Sequence, residues 1–491
     1  MVRPGGTPHR PPDWCPLPWK APGERSTTVA YSRCTAPSRS LLSVRSPDLI
    51  PLNRSEHLYW AGEGHLGPIN QPYVLRLSGP VDEALVRQAL RELTTAFPRL
   101  RSVIEPGPWL DRLRILPDDR SVDQLFDDAY RVEPGAALDD RDALQAWHSA
   151  RLNEPLSLER GLPWRARFLP HPTQPALLFV VHHIVGDGRS MVQLLCAILG
   201  RLNGQPIAAS PLDSPSMHAA VTPARLWQWP AAVWRGWRQG RADKLAAQGQ
   251  QVIMLASRRS PRFTTSAIRY HELPCPAEAM KQFAKAHRTT QNTLLTALVA
   301  NTFLAPHTGN AQAVAALRIS VDLRRYYPEG QAPVFGNYVS SFTVRARHQP
   351  TLAAQIADIE RQIQQHLARY ERRDHALPLT LYEWLPFIGR TRYRQLIAAS
   401  KARGTLPALS CHLSNLGSAE FINPKDASVR LLALWPATVS TALLLGALTL
   451  NGRQCLTVIR QCDEIDDEAV VDFLSRLDQQ FASLQGASAT S

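Results

Sequence analysis

The sequence predicts a mixed α/β (α+β) protein in two halves of similar construction, and three observations carry that expectation. The first is the stretch Leu177-Leu178-Phe179-Val180-Val181-His182-His183-Ile184-Val185-Gly186-Asp187-Gly188-Arg189-Ser190. Its apolar run, ending at Val181, reads as a buried strand, and Met191, Leu194, Leu195, Ile198, Leu199 and Leu202 then recur with the spacing of one helix face. The second is an earlier strand-then-helix unit: residues 73–77 read as a strand, and Leu85, Val86, Ala89, Leu90, Leu93 and Phe97 share one face of a helix over 81–97 that Pro98 stops. The third is the return of this grammar after residue 265. A strand at 267–273, a helix from Ala277, a helix over 292–303 and a strand over 314–323 follow one another.

Taken in order, residues 1–45 hold eight prolines among Arg, Ser and Thr with no apolar periodicity, and disorder is expected there. No contiguous apolar stretch marks a secretory signal, and the prolines oppose the amphipathic helix of a transit peptide. Residues 46–225 form the first half, 226–265 a connecting segment and 266–485 the second half; 486–491 are expected to fray. The connection contains Leu226-Trp227-Gln228-Trp229-Pro230-Ala231-Ala232-Val233-Trp234-Arg235-Gly236-Trp237-Arg238, with four of the chain's twelve tryptophans. Packing of a crossover against both halves explains them, and so does an interfacial amphipathic helix touching a membrane or a carrier protein.

Within the second half, Leu317-Arg318-Ile319-Ser320-Val321-Asp322-Leu323-Arg324 alternates, which places Ser320, Asp322 and Arg324 on one strand face and makes Arg324 available to a carboxylate. Gly336-Asn337-Tyr338-Val339-Ser340-Ser341 reads as a turn entering a strand. Residues 443–459 read as a hairpin turning at Asn451-Gly452, and a helix from Asp466 buries Val470, Phe473, Leu474, Leu477 and Phe481.

Composition narrows the class. No apolar run approaches the roughly 20 residues of a membrane-spanning helix, so a soluble chain is expected. The seven cysteines form no C-x-x-C pair, which fits a reducing, cytoplasmic setting without a disulfide framework. Of the net charge of +13, residues 1–45 supply +5 from seven basic and two acidic side chains. A basic body suits an anionic partner, but no zinc-finger spacing, RNA-binding aromatic signature or basic zipper points to nucleic acid.

The histidine pair admits three readings. Adjacent residues on a strand point to opposite sides, so His182 and His183 do not share one metal ion readily, and no third ligand stands at a suitable spacing. Purely structural histidines would not need Asp187 and Gly188 at fixed offsets. A general base fits better: imidazole accepts a proton from a hydroxyl or amine as that group attacks an electrophile, typically worth ~10²–10⁴-fold. With no G-x-S-x-G elbow and no reactive cysteine alongside, direct transfer without a covalent enzyme intermediate follows more naturally.

His182-His183-Ile184-Val185-Gly186-Asp187-Gly188 resembles the H-H-x-x-x-D-G motif of the acyltransferase superfamily that includes chloramphenicol acetyltransferase, condensation domains of nonribosomal peptide synthetases, plant BAHD enzymes, mycobacterial polyketide-associated acyltransferases and wax ester synthases. The chain is similar to that superfamily also at Leu77-Ser78-Gly79-Pro80-Val81-Asp82, at Phe97-Pro98-Arg99-Leu100-Arg101, at Val321-Asp322-Leu323-Arg324, at Gly336-Asn337 and at Ser414-Asn415-Leu416-Gly417, in the family's order from about residue 50 to 485.

The resemblance implies two chloramphenicol-acetyltransferase-like domains in a pseudo-dimeric V around a central channel. It implies His183 as general base, His182 as structural, Asp187 paired with Arg324, Gly188 as room at the channel wall, and Asn337, Ser414 and Asn415 as channel-lining residues, with no metal and no bound cofactor. The co-substrate implied is acyl-CoA or a phosphopantetheinyl acyl carrier, with an alcohol or amine as acceptor and a monomeric enzyme. Two other classes stay open: a non-catalytic scaffold of the same fold, and a lipid-directed enzyme resting on a membrane through residues 227–237.

Overall fold

The computed structural model describes residues 49–107, 110–134, 138–213, 216–384, 388–423 and 426–488; the proline-rich segment lies outside these residues. Ala176–His182 is a strand with every residue buried, the pattern of a central strand covered on both faces. It pairs antiparallel with Asn70–Leu77 and with Trp164–Leu169 in a five-stranded sheet. The other edge of Asn70–Leu77 is occupied by Leu431–Pro436, a strand from the second half. The first core is accordingly not sequential: Leu431, Leu434 and Trp435 pack with Val180, Leu194 and their neighbours.

The helix after Asn70–Leu77 runs Glu83–Ala96, and Asp82 caps it by accepting from the Ala84 N–H at 3.1 Å. Ala277–Ala286 and Gln291–Leu304 form the two later helices at their expected places. The hairpin Leu444–Leu450 and Arg453–Gln461 turns at Asn451 and Gly452, with φ of 52° and 71°. Two successive positive φ values define the tight turn whose twist matches its strands, and Asn-Gly tolerates them at low cost. These strands belong to a second sheet with Ser266–Pro276 at one edge and Val339–Ala346 at the other. Ala313–Asp322 and Cys411–Ser418 lie parallel within it.

One helix of the first half seals an edge of the second sheet. Along Arg141–Leu152 and its C-cap Asn153, residues four apart present one row of side chains. Asn153 Oδ1, Ser149 Oγ and Gln145 Oε1 accept from the N–H groups of Ser266, Ile268 and Tyr270 at 2.8, 2.9 and 2.6 Å. Arg141 donates to the Tyr270 carbonyl at 2.7 Å. The alternate outward N–H groups of an edge strand are thus satisfied by a helix instead of another strand.

The structure departs from the sequence expectations in three places. Arg324 is not on the strand face: the strand ends at Asp322, whose side chain accepts from the Arg324 N–H at 3.0 Å and starts a short 3₁₀ turn, Leu323–Tyr326. The final helix extends over Asp467–Ser488 instead of fraying from 486, and 489–491 lie outside the described residues. In the connecting segment, helix Trp229–Ala247 buries Ala232, while Trp227, Trp234 and Trp237 are exposed, so crossover packing does not account for these three. Its packed side holds Gly236, where a Cβ would meet the Asp374 carbonyl oxygen at 2.3 Å. Among the described residues no helix is long and apolar enough to cross a membrane.

Candidate active site

The histidine pair sits at the C-terminal end of the central strand, and the alternation of strand side chains sends the two rings into different surroundings. His182 is buried: its Nδ1 accepts from the Ile184 N–H at 3.1 Å, and its Nε2 lies 3.1 Å from Glu63 Oε2. Glu63 Oε2 also accepts from the Ile69 N–H at 2.8 Å. Both ring nitrogens of His182 are therefore committed to holding the loop.

His183 is half-buried, and its ring lies 4.4 Å, centroid to centroid, from that of Tyr59. Asn337 Nδ2 donates to the His183 carbonyl at 2.8 Å and stands 3.1 Å from Nδ1. Nε2 has no hydrogen-bond partner among the described residues. Burial pushes the imidazole down to about 4, against upward contributions from the backbone of His183 itself, from Asp187 and from the backbone of Gly186. At neutral pH it is an uncharged base.

Asp187 turns away from His183. It caps the helix Gly188–Leu202, accepting from the Ser190 N–H at 3.0 Å, and this helix begins three residues earlier than its apolar spacing indicates. Its Oδ2 accepts from Arg324 Nη1 at 2.7 Å and from the Tyr338 N–H at 2.9 Å. Burial opposes the charge, but Arg324 and these N–H groups outweigh it and hold the carboxyl below its usual range. Arg324 also donates to Asp322, Ser190 Oγ and the carbonyls of Pro333 and Gly336, at 3.1, 3.0, 3.2 and 2.9 Å. Burial would lower Arg324, yet Asp187 and Asp322 raise it above the ordinary guanidinium value.

Gly188 leaves space for Leu416, since a Cβ there would lie 2.8 Å from Leu416 Cδ2. Asn415 is engaged: its Oδ1 accepts from the Gly417 N–H at 2.8 Å and its Nδ2 approaches Asn292 at 3.3 Å. Ser414 has no side-chain partner among the described residues and shares a strand face with His412. His412 bonds Ser320 Oγ through Nε2 at 3.0 Å, and burial, with Arg318 and His183 adding to it, lowers it to about 3. Among the described residues no group of three or more His, Cys, Asp and Glu is arranged to hold a metal ion. Two open surface clefts of about 590 and 440 Å³, lined in part by Arg361, do not include His183.

Sequence reasoning missed the helix Arg54–Gly62, which carries Tyr59 to His183 and ends beside Glu63. Its signal was present as Asn53-Arg54-Ser55-Glu56, where Asn53 and Glu56 form a capping box. Glu56 is also buried against Arg99, with Nη1 donating to Oε1 at 2.6 Å, and Asn53 Nδ2 donates to the Asn337 carbonyl at 2.7 Å. This short helix links the histidine loop to the Gly336-Asn337 turn of the second half.

The geometry has parallels among known proteins. At 31% identity over 170 residues, 34% of this chain, it matches a dimodular nonribosomal peptide synthase of Bacillus subtilis (strain 168), and at 30% over 219 residues, 42% of the chain, a probable non-canonical nonribosomal peptide synthetase, CymA, of Salinispora arenicola (strain CNS-205). The matches span only 7% and 3% of those proteins. In fold, the first condensation domain of the calcium-dependent antibiotic synthetase superposes with a TM-score of 0.66 at 15% identity, covering 90% of this chain and 97% of that one. The trichothecene 15-O-acetyltransferase TRI3 of Fusarium sporotrichioides superposes with a TM-score of 0.65 at 12% identity, with the same two coverages, 90% and 97%. The fold is therefore that of two chloramphenicol-acetyltransferase-like lobes. The family model for the condensation domain matches residues 64–378, which include both histidines, Asp187, Arg324 and Asn337, and the chain belongs to the condensation-domain family.

Proposed function

We propose that the protein is an acyltransferase that moves an acyl group from a thioester donor, acyl-CoA or an acyl carrier protein, to a hydroxyl or amine. The observation that carries this is the uncharged His183 imidazole, whose Nε2 is open while its other contacts are held by Asn337, Tyr59 and the backbone. With the ring proton on Nδ1, Nε2 takes the proton of the acceptor as its oxygen or nitrogen bonds to the thioester carbonyl carbon. The C–S bond then breaks, and the departing thiolate receives the proton from His183. Of the three channel-lining residues Asn337, Ser414 and Asn415, Ser414 is the one whose donor has no partner among the described residues, which makes it the donor available to the oxyanion. Condensation-family membership and the basic balance of the chain suit both donor types, since coenzyme A carries phosphates and carrier proteins are commonly acidic.

The test is transfer from acyl-CoA and acyl-carrier donors to alcohols and amines, followed by mass spectrometry, with wild type and His183→Ala in parallel. Products with wild type and a loss of ~10²–10⁴-fold in the variant are expected. Undiminished transfer by the variant removes His183 from the mechanism, and a wild type inert across the panel favours the non-catalytic scaffold.

A second reading concerns where the enzyme works. Leu226, Trp227, Trp234, Trp237 and Leu245 are exposed by 86, 70, 55, 59 and 56%, and Arg225, Arg238 and Arg241 lie over the rings of Trp227, Trp234 and Trp237. Aromatic rings interleaved with guanidinium groups on an outward helix face suit the surface of an anionic membrane.

A further inference from the structure

Arg318 stands apart from the other buried or half-buried arginines around His183. It occupies Ala313–Asp322, directly beside His412 in the parallel register with Cys411–Ser418, on the strand face that also presents Ser320 to His412. It is half-buried, and among the described residues it has no hydrogen bond, ion pair or ring contact. The carboxylates nearby are spoken for. Asp187 is held by Arg324, Asp322 by Arg189 and Arg324, Glu63 by His182 and Glu56 by Arg99.

A guanidinium keeps its charge, so withdrawing one from water without a counter-charge costs free energy that a structural role does not recover. Burial does weaken its hold on the proton, and its field acts on Tyr59 and His412, two groups tied to the His183 surroundings. His412 and His183 are themselves uncharged, so the positive potential on this wall comes from Arg318, with Arg54 adding to it at Tyr59.

Resting on the acyl-transfer reading above, we infer that Arg318 anchors a carboxylate on the acceptor, so that the acceptor is an amino acid or hydroxy acid and not a neutral amine or alcohol. The forked donors of arginine match the two oxygens of a carboxylate. A phosphate is the other oxyanion available, but in a phosphopantetheine donor it is separated from the thioester by the whole arm and cannot reach His183 together with it. The arm positions the donor, whereas an untethered acceptor has only its own groups to fix its orientation.

Calorimetric titration with product-like pairs, N-acetyl- and N-octanoylglycine against the corresponding glycinamides, tests the site. Wild type is expected to bind the carboxylates roughly tenfold or more tightly than the amides. Arg318→Met should remove that difference, Arg318→Lys should retain part of it, and both should bind coenzyme A as wild type does. Absence of a carboxylate preference in every pair, its survival in Arg318→Met, or equal weakening of both members of a pair overturns the proposal. Loss of coenzyme A binding in Arg318→Met also overturns it, by assigning the arginine to the donor phosphates. His183→Ala should keep the carboxylate preference while losing transfer from octanoyl-CoA to glycine. Retained transfer would remove the base assignment without touching the anion site.

Discussion

Arg324 Nη1 lies 2.7 Å from Asp187 Oδ2, joining side chains 137 residues apart, each less than a tenth exposed. Arg324 also donates to the Gly336 carbonyl at 2.9 Å, and Ser190 Oγ donates to that same carbonyl at 2.7 Å. The ion pair thereby fastens the helix that follows His183 to the turn that carries Asn337. On the proposed acyl-transfer reading its value is positional, since a 1 Å error at a general base is costly to catalysis.

Asp187→Ala should destabilise the protein by about 3–5 kcal/mol, because it leaves a buried guanidinium without its counter-charge. Urea unfolding measures this. Replacing Arg324 by Met in the same chain should recover part of the loss, and an unchanged midpoint in Asp187→Ala would show that the pair does not hold the loop.

Glu63 should matter although it carries no motif position. Glu63→Ala removes the acceptor facing His182 Nε2 and the Ile69 N–H, and a cost of about 1–3 kcal/mol is expected from the buried groups left unpaired. Glu63→Gln, which keeps one acceptor, should retain more stability and more turnover than the alanine variant. Equal behaviour of the two would point to bulk and not to the hydrogen bonds.

Acid should weaken the fold over a defined window. Burial holds His148 and His412 at about 3, and His57, His183, His366 and His375 at about 4, while unfolded histidine titrates near 6.5. Between those values the unfolded chain binds protons that the folded chain refuses. Their contribution is therefore undiminished above about pH 6.5 and falls as the pH drops toward 4. Urea midpoints at pH 7.5 and 5 should show the decline, and with an alcohol acceptor, which does not itself titrate in this range, kcat/KM should stay flat down to about pH 5, since His183 remains unprotonated there.

The helix that seals the sheet edge offers a separate test. Gln145→Ala strips the acceptor from the Tyr270 N–H and should cost about 1–3 kcal/mol, with faster hydrogen exchange at the Tyr270 amide. Unaltered exchange there would mean that the edge is protected by packing alone.

For the outward tryptophans, co-sedimentation with anionic phosphatidylserine vesicles is expected for wild type and not for a variant with Trp234→Ala and Trp237→Ala. Because both rings are more than half exposed, unfolding stability should change little. Failure of wild type to sediment would remove the membrane reading.

How much was legible follows from the range of each interaction. The apolar run of Ala176–His182 and the helical spacing of Glu83–Ala96 are local burial patterns, and the Asn451-Gly452 turn is a local backbone requirement, so the amino-acid order determined them by itself. The H-H-x-x-x-D-G spacing likewise determined which residues lie together at one strand end. The site's other half was decided only by tertiary structure. Leu431–Pro436 completes the first sheet from the second half, and Glu63, Tyr59 and Asn337 reach the histidines from segments that no local periodicity connects to them. Alternation placed Arg324 on a strand face; the Asp322 cap moved it onto a 3₁₀ turn, and that turn directs its guanidinium to Asp187. Whether a charged side chain is paired depends on which distant groups the fold brings to it. That is why Arg318 reads in the sequence as one more polar residue of a strand, and in the folded chain as a guanidinium with no protein partner among the described residues.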